Sequence, residues 1–252
     1  MTYQEKFLAT AKWVIADEAT ALGTSLGPSF GAAIDLLLAA RGRIIVSGIG
    51  KSGHVARKIA TTFASTGIPA HFVNPAEASH SDLGMITSGD VVIVLSNSGQ
   101  TPELADLVAY TRRFDIPMIG VTSRKTSTLL TQSDVAILLP QLGEACGTGV
   151  VRTTSTTMTL ALGDAMAIAL IEHRQFTPEN FCDFHPGGKR GAKLAKVRDL
   201  MHAGDSIPLV TTSTPMSDTL LVIDQKGSAW LASGTLMATL QVLSQTAIYA
   251  AI

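Results

Sequence analysis

The most informative segment of the chain reads Val91-Val92-Ile93-Val94-Leu95-Ser96-Asn97-Ser98-Gly99-Gln100-Thr101-Pro102-Glu103. Its first five residues are apolar without alternation, which predicts a buried strand covered on both faces, as in a parallel sheet. Pro102 and Glu103 suit the first turn of a helix. The polar loop between strand and helix therefore lies where α/β sheets bind their ligands.

This loop has the chemistry of an anion site. Backbone N–H groups and the helix dipole favour a negative charge at a helix N-terminus. Ser96, Ser98 and Thr101 add hydroxyl donors, and Gly99 allows the main chain to come close to a ligand. A phosphate is the ligand that these features fit best. A Ser/Thr-rich turn with ordinary capping is the alternative that this segment alone leaves open.

Composition narrows the class of protein. The chain has 252 residues, of which 46% are hydrophobic and 15% charged, enough for one large or two small domains with a core. The net charge of −1 gives no sign of a nucleic-acid or anionic-membrane partner. Two cysteines, Cys146 and Cys182, make no disulfide framework, and the first residues lack the apolar core of a signal peptide. We therefore expect a cytoplasmic protein.

The order of the predicted elements indicates the fold class. Strands are expected over residues 43–47, 70–73, 91–95, 118–121 and 135–139, with a polar loop over 75–89. Helices are expected over residues 3–26, 29–40, 51–64 and 153–173, with one more after Glu103. This βαβα alternation predicts an α/β protein, a doubly wound parallel five-stranded sheet flanked by helices in three layers. Right-handed crossovers would bring the loops after the first and third strands to the same edge.

A second glycine-rich loop follows the first strand and reads Gly48-Ile49-Gly50-Lys51-Ser52-Gly53. It matches G-x-G-x-x-G, but Asn74 stands where a dinucleotide-binding protein needs an acidic residue for the ribose. It also contains Gly-Lys-Ser, but Ile45 stands where a nucleotide-binding P-loop needs its first glycine. What remains is an anion loop in which Lys51 is a phosphate counter-charge or an electrophile near a carbonyl. A solvated lysine on a turn is equally compatible with this loop alone.

Acid–base candidates occur in four separate loops, at His80, Glu103, Glu144 and His185. A single glutamate or histidine in a loop is more often solvated, or a helix cap, than catalytic. The run Thr153–Thr157 at the start of an apolar helix is likewise usually capping, although its hydroxyls suit an anion site. Two carboxylates, two imidazoles and a lysine around a phosphate site together suit proton transfer next to a carbonyl.

Several motifs, in order along the chain, resemble the sugar isomerase (SIS) family and, within it, the arabinose-5-phosphate isomerases of Kdo biosynthesis. They are Gly48-Ile49-Gly50-Lys51-Ser52-Gly53-His54, Ala64-Ser65-Thr66-Gly67, Pro75-Ala76-Glu77-Ala78-Ser79-His80-Ser81-Asp82-Leu83-Gly84-Met85, Ser96-Asn97-Ser98-Gly99, Glu144-Ala145-Cys146, Ser155-Thr156-Thr157, Gly163-Asp164-Ala165 and His185-Pro186-Gly187-Gly188. The match extends over about residues 1–225 without large gaps. It implies the SIS fold and a site built from these motifs.

The resemblance also implies a catalytic set, which consists of Lys51, Glu103, Glu144 and His185. Within this set, we expect Glu144 to be the base between C1 and C2, and His185 to open the ring or move the O1/O2 protons. Lys51 is the electrophile, and Glu103 is a second acid–base or positioning group. The expected substrate-binding residues are Gly50, Ser52, His80, Ser96, Asn97, Ser98, Thr101, Ser155 and Thr156. No cofactor is required, although His80 matches a histidine implicated in metal binding and is our candidate ligand for a divalent metal such as zinc.

The sequence departs from the family pattern at several loop positions. Gly147 replaces a proline after Glu-Ala-Cys, and Arg152 replaces a proline before the Thr/Ser run. Ser81 replaces a glycine before Asp82, and Lys189-Arg190 follow His-Pro-Gly-Gly where the family has smaller residues. Every acid–base position is intact, so the departures concern loop shape and substrate fit.

The chain changes character towards its C-terminus. Residues 1–196 make up the expected SIS domain, and residues 197–226 look like the start of a cystathionine-β-synthase-type (CBS) pair. Residues 227–252 contain no charge. Polar residues dilute this tail too much for a membrane span, which needs about 20 mainly apolar residues. We expect a truncated or frame-shifted remnant that packs as a helix or lacks fixed structure.

The expected function is the interconversion of D-arabinose 5-phosphate and D-ribulose 5-phosphate through a cis-enediol, for Kdo, lipopolysaccharide or capsule precursors. The alternative is a non-catalytic phosphosugar sensor. Such a regulator normally carries a DNA-binding helix-turn-helix, and the residues before the first strand contain no basic recognition helix. Apolar residues on the N-terminal helix and on the helix over 153–173 exceed what one sheet face needs, which marks a partner surface. By resemblance we expect a homodimer or homotetramer in which His185 enters a neighbouring subunit's site.

Overall fold

The computed structural model describes residues 3–22, 27–146, 148–177, 180, 184, 205, 207–227, 230–235 and 238–244. The chain divides into two compact units, Met1–Ala192 and Lys193–Ile252. The candidate site lies in the first unit. The predicted division at residue 196 and the predicted CBS origin of the segment after it stay predictions.

The first unit alternates strands and helices along the chain. Its strands are β1 Ile44–Gly48, β2 Ala70–Val73, β3 Val91–Leu95, β4 Met118–Thr122 and β5 Val135–Leu138. Its α-helices are α1 Tyr3–Leu22, α2 Ser29–Leu38, α3 Lys51–Ser65, α4 Pro75–Ala78, α5 Ala105–Arg113, α6 Thr128–Gln132 and α7 Thr154–Arg174. Single 3₁₀ turns occupy Asp82–Met85 and Pro102–Leu104.

All five strands pair in parallel in the order β2-β1-β3-β4-β5. Strands β1 and β3 are neighbours, and their register runs from Ile44 opposite Val91 to Gly48 opposite Leu95. The strand order reverses between them, so the loops that follow β1 and β3 open at one edge, as predicted. The doubly wound α/β fold is therefore confirmed.

Strand β3 shows why its apolar run lacks alternation. Val91, Ile93 and Leu95 pack into the core beneath α2, α3 and α7, whereas Val92 and Val94 pack into the core on the opposite face. All five residues are buried. Since both faces are covered, each position needs an apolar side chain, which confirms the prediction made from the sequence.

Three short helical segments were not predicted. The segment expected as a loop over 75–89 contains α4, whose N-cap Asn74 accepts a hydrogen bond from the Ala76 amide at 3.2 Å, and a 3₁₀ turn. Helix α6 follows β4, and its N-cap Ser127 accepts one from the Leu130 amide at 3.3 Å. These segments are too short for a periodic pattern. Only α4 and α6 have a side-chain cap that could identify them, since the 3₁₀ turn has none.

Among the described residues, α7 is the one helix long and apolar enough to cross a membrane by length and composition. Its buried residues include Met158, Leu162, Met166 and Leu170, which belong to the core on one face of the sheet. Core packing thus accounts for its apolar character. Ile168 on the same helix remains 54% exposed.

The second unit contains a three-stranded sheet with strands Leu209–Val210, Trp230–Thr235 and Ala238–Ser244 and a helix over Met216–Gln225. The first two strands pair in parallel and the last two are antiparallel. The tail for which we expected a helix or no fixed structure thus contains two paired strands. These two strands are consecutive in the chain and pair with each other. The uncharged composition of the tail does not by itself distinguish a strand from a helix.

Candidate functional site

The loops after β1 and β3 form two adjoining walls of the site. The loop after β1 passes through Gly50, which has φ = +59° and precedes the first residue of α3, Lys51. A positive φ at this position favours glycine, because it has no Cβ to clash with its own backbone. The turn places Lys51 and Ser52 in the first turn of a helix, at the carboxyl edge of the sheet.

The loop after β3 is held in shape by its own hydroxyls. The Ser96 hydroxyl lies 2.7 Å from the Thr101 hydroxyl and accepts a hydrogen bond from the Gly99 amide at 3.0 Å. Gly99 has φ = +62°, and a Cβ there would lie 2.3 Å from the Ser127 hydroxyl oxygen. Ser96 is buried, whereas Ser98 is exposed. The fixed loop therefore presents Ser98 and Thr101 at the edge of the sheet.

Both loops line a cavity of about 280 Å³ together with the first turns of α7. Seven of its lining residues carry a hydroxyl, namely Ser52, Ser96, Ser98, Thr101, Ser155, Thr156 and Thr159. Of the described residues that line it, only Lys51 and Arg152 are charged, and both are cations. The cavity thus combines hydroxyl donors with two positive charges, at the edge where the strand order reverses. These features suit a phosphate, and we call this cavity the phosphate-loop cavity.

A second cavity of about 310 Å³ adjoins the first and contains Glu144. The two cavities share Asn97, Arg152 and Ser155 as lining residues. The Asn97 side chain accepts a hydrogen bond from the Ser123 hydroxyl at 2.7 Å, which fixes it between the two. The buried carboxylate is therefore adjacent to the phosphate-loop cavity.

The Glu144 carboxylate caps the N-terminus of α7. One oxygen, Oε2, accepts hydrogen bonds from the Thr153 amide at 2.8 Å, the Ser155 amide at 3.2 Å and the Thr153 hydroxyl at 3.4 Å. The other, Oε1, accepts from the Ser155 hydroxyl at 2.5 Å and from Nη1 of Arg152 at 3.2 Å. The Glu144 side chain is only 5% exposed. The carboxylate thus accepts hydrogen bonds from amides that have no partner within α7, and it lies at the positive end of the dipole of this 21-residue helix.

These contacts set the ionisation of Glu144. Burial of the carboxyl group would raise its pKa, but hydrogen bonds from the Ser155 hydroxyl, the Thr153 and Ser155 amides and Arg152 outweigh it. Together they lower the pKa of Glu144 below its ordinary value. Glu144 is therefore an anion at neutral pH that can accept a proton, although a lowered pKa weakens it as a base.

Four other residues expected in the site lie either outside the two cavities or outside the described residues. Glu103 is exposed in the 3₁₀ turn after the phosphate loop, and His80 is exposed in the turn after α4; neither lines the two cavities. Gly50 shapes the first loop without lining either of these two cavities. His185 lies outside the described residues. The structure thus brings Lys51 to the phosphate-loop cavity and Glu144 next to it, and the roles assigned to all of these residues stay predictions.

The part of the chain that the structure describes contains no group of three or more His, Cys, Asp or Glu side chains placed to hold a metal ion. Among these described residues, His80 therefore has no partner set of the kind that zinc sites use, which are commonly built from three or four such ligands. The described residues thus give no support to zinc at His80, which was our candidate ligand for a divalent metal.

Two polar residues that line the phosphate-loop cavity, Arg152 and Thr159, were not predicted as site residues. Thr159 lies one helical turn after Ser155, so both residues lie on one face of α7 and line the same cavity. That spacing was a usable signal. Arg152 was noted only as a departure from the family pattern, because nothing in the sequence indicates that the loop before α7 returns to the phosphate-loop cavity.

The chain resembles known proteins over most of its first unit. The profile of the SIS domain matches residues 37–169. The chain is 47% identical over 212 residues to arabinose 5-phosphate isomerase KdsD of Pseudomonas aeruginosa, which covers 84% of this chain and 65% of that protein. It is 45% identical over 202 residues to KdsD of Escherichia coli K12, covering 80% of this chain and 62% of that protein. The chain thus spans less than two thirds of the length of these relatives.

A solved structure gives the same result for the fold. A protein of Escherichia coli CFT073, determined in complex with arabinose 5-phosphate, superposes with a TM-score of 0.70 at 36% sequence identity, covering 74% of this chain and 100% of that one. The profile match includes strands β1 to β5 and both walls of the phosphate-loop cavity. Since that match also extends over more than half of the chain, the protein belongs to the SIS domain family.

Proposed function

We propose that this protein interconverts D-arabinose 5-phosphate and D-ribulose 5-phosphate. The observation that carries the proposal is the pairing of two adjoining cavities, one lined by hydroxyls and cations, the other containing the ionised carboxylate of Glu144. Two KdsD relatives at 45–47% identity and a related structure in complex with arabinose 5-phosphate support the same substrate. The pathway that we propose is the supply of Kdo, lipopolysaccharide or capsule precursors, in the cytoplasm.

The phosphate is bound first in this scheme. Ser98 and Thr101 at the helix start, and Lys51 across the cavity, donate to its oxygens, while Ser96 holds the loop in shape. The other substrate-binding residues that we propose are Gly50, Ser52, His80, Asn97, Ser155 and Thr156. Binding of the phosphate fixes the open-chain sugar so that its carbonyl end extends towards the second cavity.

Chemistry then consists of proton transfers. Glu144 takes the proton from C2 of the aldose while O1 is protonated, which forms the cis-enediol; the proton returns to C1 as O2 loses its own. Lys51 stabilises the developing negative charge on oxygen, and Glu103 and His185 assist proton transfer and ring opening. A positioned acid or base contributes roughly 10²–10⁴-fold to such steps. Each step moves only protons, so the proposed reaction requires no cofactor.

We also propose that the protein is a homo-oligomer, a dimer or tetramer. Helix α1 leaves Leu8, Trp13 and Ile15 57%, 51% and 69% exposed, and Ile168 of α7 is 54% exposed. Exposed apolar groups on helices that pack against each other favour a partner surface. If His185 is delivered by a neighbouring subunit, a mixture of inactive Glu144→Gln and His185→Ala proteins regains activity in hybrid sites. Light scattering that gave a fully active monomer would overturn this proposal.

The activity is tested with a panel of sugar phosphates. Purified protein is offered arabinose 5-phosphate, ribose 5-phosphate, glucosamine 6-phosphate and sedoheptulose 7-phosphate in deuterium oxide, and ketose or aldose formation and deuterium at the exchanged carbon are followed. We expect turnover and deuterium incorporation with arabinose 5-phosphate. Binding without incorporation for all four compounds would overturn the isomerase and point to a phosphosugar-binding protein.

A further inference from the structure

Arg152 occupies the boundary between the two cavities. It lies in the loop before α7 and lines both the phosphate-loop cavity and the cavity that contains Glu144. Its side chain is 47% exposed, and its Nη1 donates to Oε1 of Glu144 at 3.2 Å. Among the described residues, Glu144 is the only group to which the Arg152 side chain donates. An arginine has five N–H donors, so most of them face the cavities or solvent.

Glu144 does not depend on this contact. Without Arg152, the carboxylate keeps its hydrogen bonds from the Thr153 amide and hydroxyl and from the Ser155 amide and hydroxyl. An ion pair with a half-exposed arginine contributes little to stability in water. The contact of Arg152 with Glu144 therefore contributes little to the stability of the fold.

The charge of the phosphate-loop cavity gives Arg152 a better role. A phosphate monoester carries a charge of about −1.5 to −2 at neutral pH. Of the described residues that line the cavity, Lys51 supplies one positive charge, Arg152 supplies the second, and none is acidic. A guanidinium binds phosphate through two parallel N–H donors, which is stronger and more directional than a lysine contact.

We propose that Arg152 is a substrate-binding residue that donates to the phosphate oxygens of the sugar phosphate and so supplies the second positive charge of the site. This deepens the proposed function and rests on it for the identity of the sugar. In the family pattern that the sequence resembles, a proline stands in place of Arg152. The additional cation is therefore a feature of this chain that adjusts its affinity for a phosphorylated ligand.

The direct test measures the affinity of inorganic phosphate by isothermal titration calorimetry, so that no turnover is needed. We expect Arg152→Gln to weaken phosphate binding by about tenfold or more, and Arg152→Lys to weaken it less, because a point charge remains without the planar donor pair. Lys125→Gln is the matched control, since it removes the same charge from an exposed residue that lines neither cavity. Because an exposed charge outside the cavities is screened by salt, the phosphate affinity of Lys125→Gln stays within about twofold of wild type.

A second measurement uses the unmodified protein and does not depend on how the variants fold. Phenylglyoxal labels arginine side chains, and peptide mass spectrometry reports the rate at each position. Phosphate should slow the labelling of Arg152 while leaving exposed Arg41, at the opposite edge of the sheet, unchanged. Equal labelling with and without phosphate, or an unchanged phosphate affinity in Arg152→Gln, would overturn the proposal.

The outcome is separable from that of the proposed function. Phosphate affinity that depends on Arg152, in a protein that isomerises none of the sugar phosphates, would preserve the binding role and remove the isomerase. Turnover of arabinose 5-phosphate with unchanged KM in Arg152→Gln would preserve the isomerase and remove the binding role.

Discussion

Replacing Glu144 with glutamine separates the two roles that the structure gives this residue. Glutamine has nearly the same shape, so it fits beneath the N-terminus of α7 and keeps one oxygen for the Thr153 and Ser155 amides. The other position becomes an NH₂ donor that faces Nη1 of Arg152, another donor. The substitution therefore removes the charge and one acceptor without leaving a cavity.

The size of the effect on stability follows from these contacts. A negative charge near a helix N-terminus contributes typically 0.3–1 kcal/mol and up to about 2 kcal/mol where it is partly buried. Charge-assisted hydrogen bonds contribute more than neutral ones. We expect Glu144→Gln to lower the free energy of unfolding by about 1–2 kcal/mol at pH 7. If Glu144 is also the base, kcat falls by about 10²-fold or more with a modest change in KM.

A matched control comes from the opposite end of β3. Asp90 is 1% exposed, and its carboxylate accepts hydrogen bonds from the Arg43 amide at 2.7 Å and from the Thr87 amide at 2.8 Å. Asp90→Asn makes the same chemical change, a buried amide-binding carboxylate to an amide, away from both cavities. The two amides donate to different oxygens of Asp90, so asparagine leaves one of them facing an NH₂ group. We therefore expect a loss of stability at least as large as in Glu144→Gln, with unchanged kcat.

Two measurements on wild type and both variants decide whether Glu144 is a helix cap or also the base. They are urea unfolding at pH 7 and the isomerase assay. Near-native kcat in Glu144→Gln, together with the expected loss of stability, would make Glu144 a helix cap and transfer the base to Glu103. An equal fall in kcat in Asp90→Asn would attribute the effect to the fold rather than to the missing base.

Three further predictions concern the loop hydroxyls, a thiol and an ion pair. Ser98→Ala and Thr101→Ala should mainly raise KM, since phosphate contacts exist in ground and transition states alike; an unchanged KM in both removes the assignment. Hydrogen bonds from the Thr148 hydroxyl and from backbone amides lower the pKa of Cys146 to about 7. The rate of alkylation of Cys146 by iodoacetamide should therefore rise with a midpoint near that pH, and a midpoint near the ordinary thiol pKa would contradict this. The hydrogen bond from Arg112 lowers the pKa of Asp134 in the folded state. The ionised carboxylate therefore stabilises the fold at pH values above its unfolded-state pKa. This stabilisation is lost as the pH falls through the folded-state pKa. The difference in unfolding free energy between wild type and Asp134→Asn should therefore be largest at neutral pH and shrink in acid, and a difference independent of pH would contradict this linkage.

The sheet was predictable because its signals are local. Each strand is a run of buried β-branched or aliphatic residues, and β3 is apolar throughout since both of its faces are covered. The predicted bounds of β1, β4 and β5 differ from the observed ones by one residue, where a strand meets a loop and hydrogen bonding changes gradually. The meeting of the loops after β1 and β3 at one edge followed from the handedness of the crossovers, which holds for nearly all such folds.

The site was predictable only in its parts. Ser98, Thr101 and Lys51 were assigned from glycine-rich loops at helix starts, and all three line one cavity. The position of Glu144 depends on contacts with residues nine and eleven positions further along the chain, across a loop without a periodic pattern. Residue types indicate that a carboxylate is present, but only the path of that loop shows that it caps α7 and meets Arg152.

The donors around Glu144 create a conflict that the mechanism must resolve. An ionised carboxylate has about four lone-pair positions, and Thr153, Ser155 and Arg152 together supply five donors. Glu144 can therefore accept a proton from carbon only if one donor leaves. Arg152 is the half-exposed member, whereas the other donors belong to the backbone and first turn of α7. If bound phosphate draws Arg152 away, the pKa of Glu144 rises. The pH profile of kcat reports the enzyme–substrate complex, and the profile of kcat/KM reports the free enzyme. The pKa in the kcat profile should therefore exceed the pKa in the kcat/KM profile. The same pKa in both profiles would mean that Arg152 stays on Glu144 throughout, and another residue would then have to be the base.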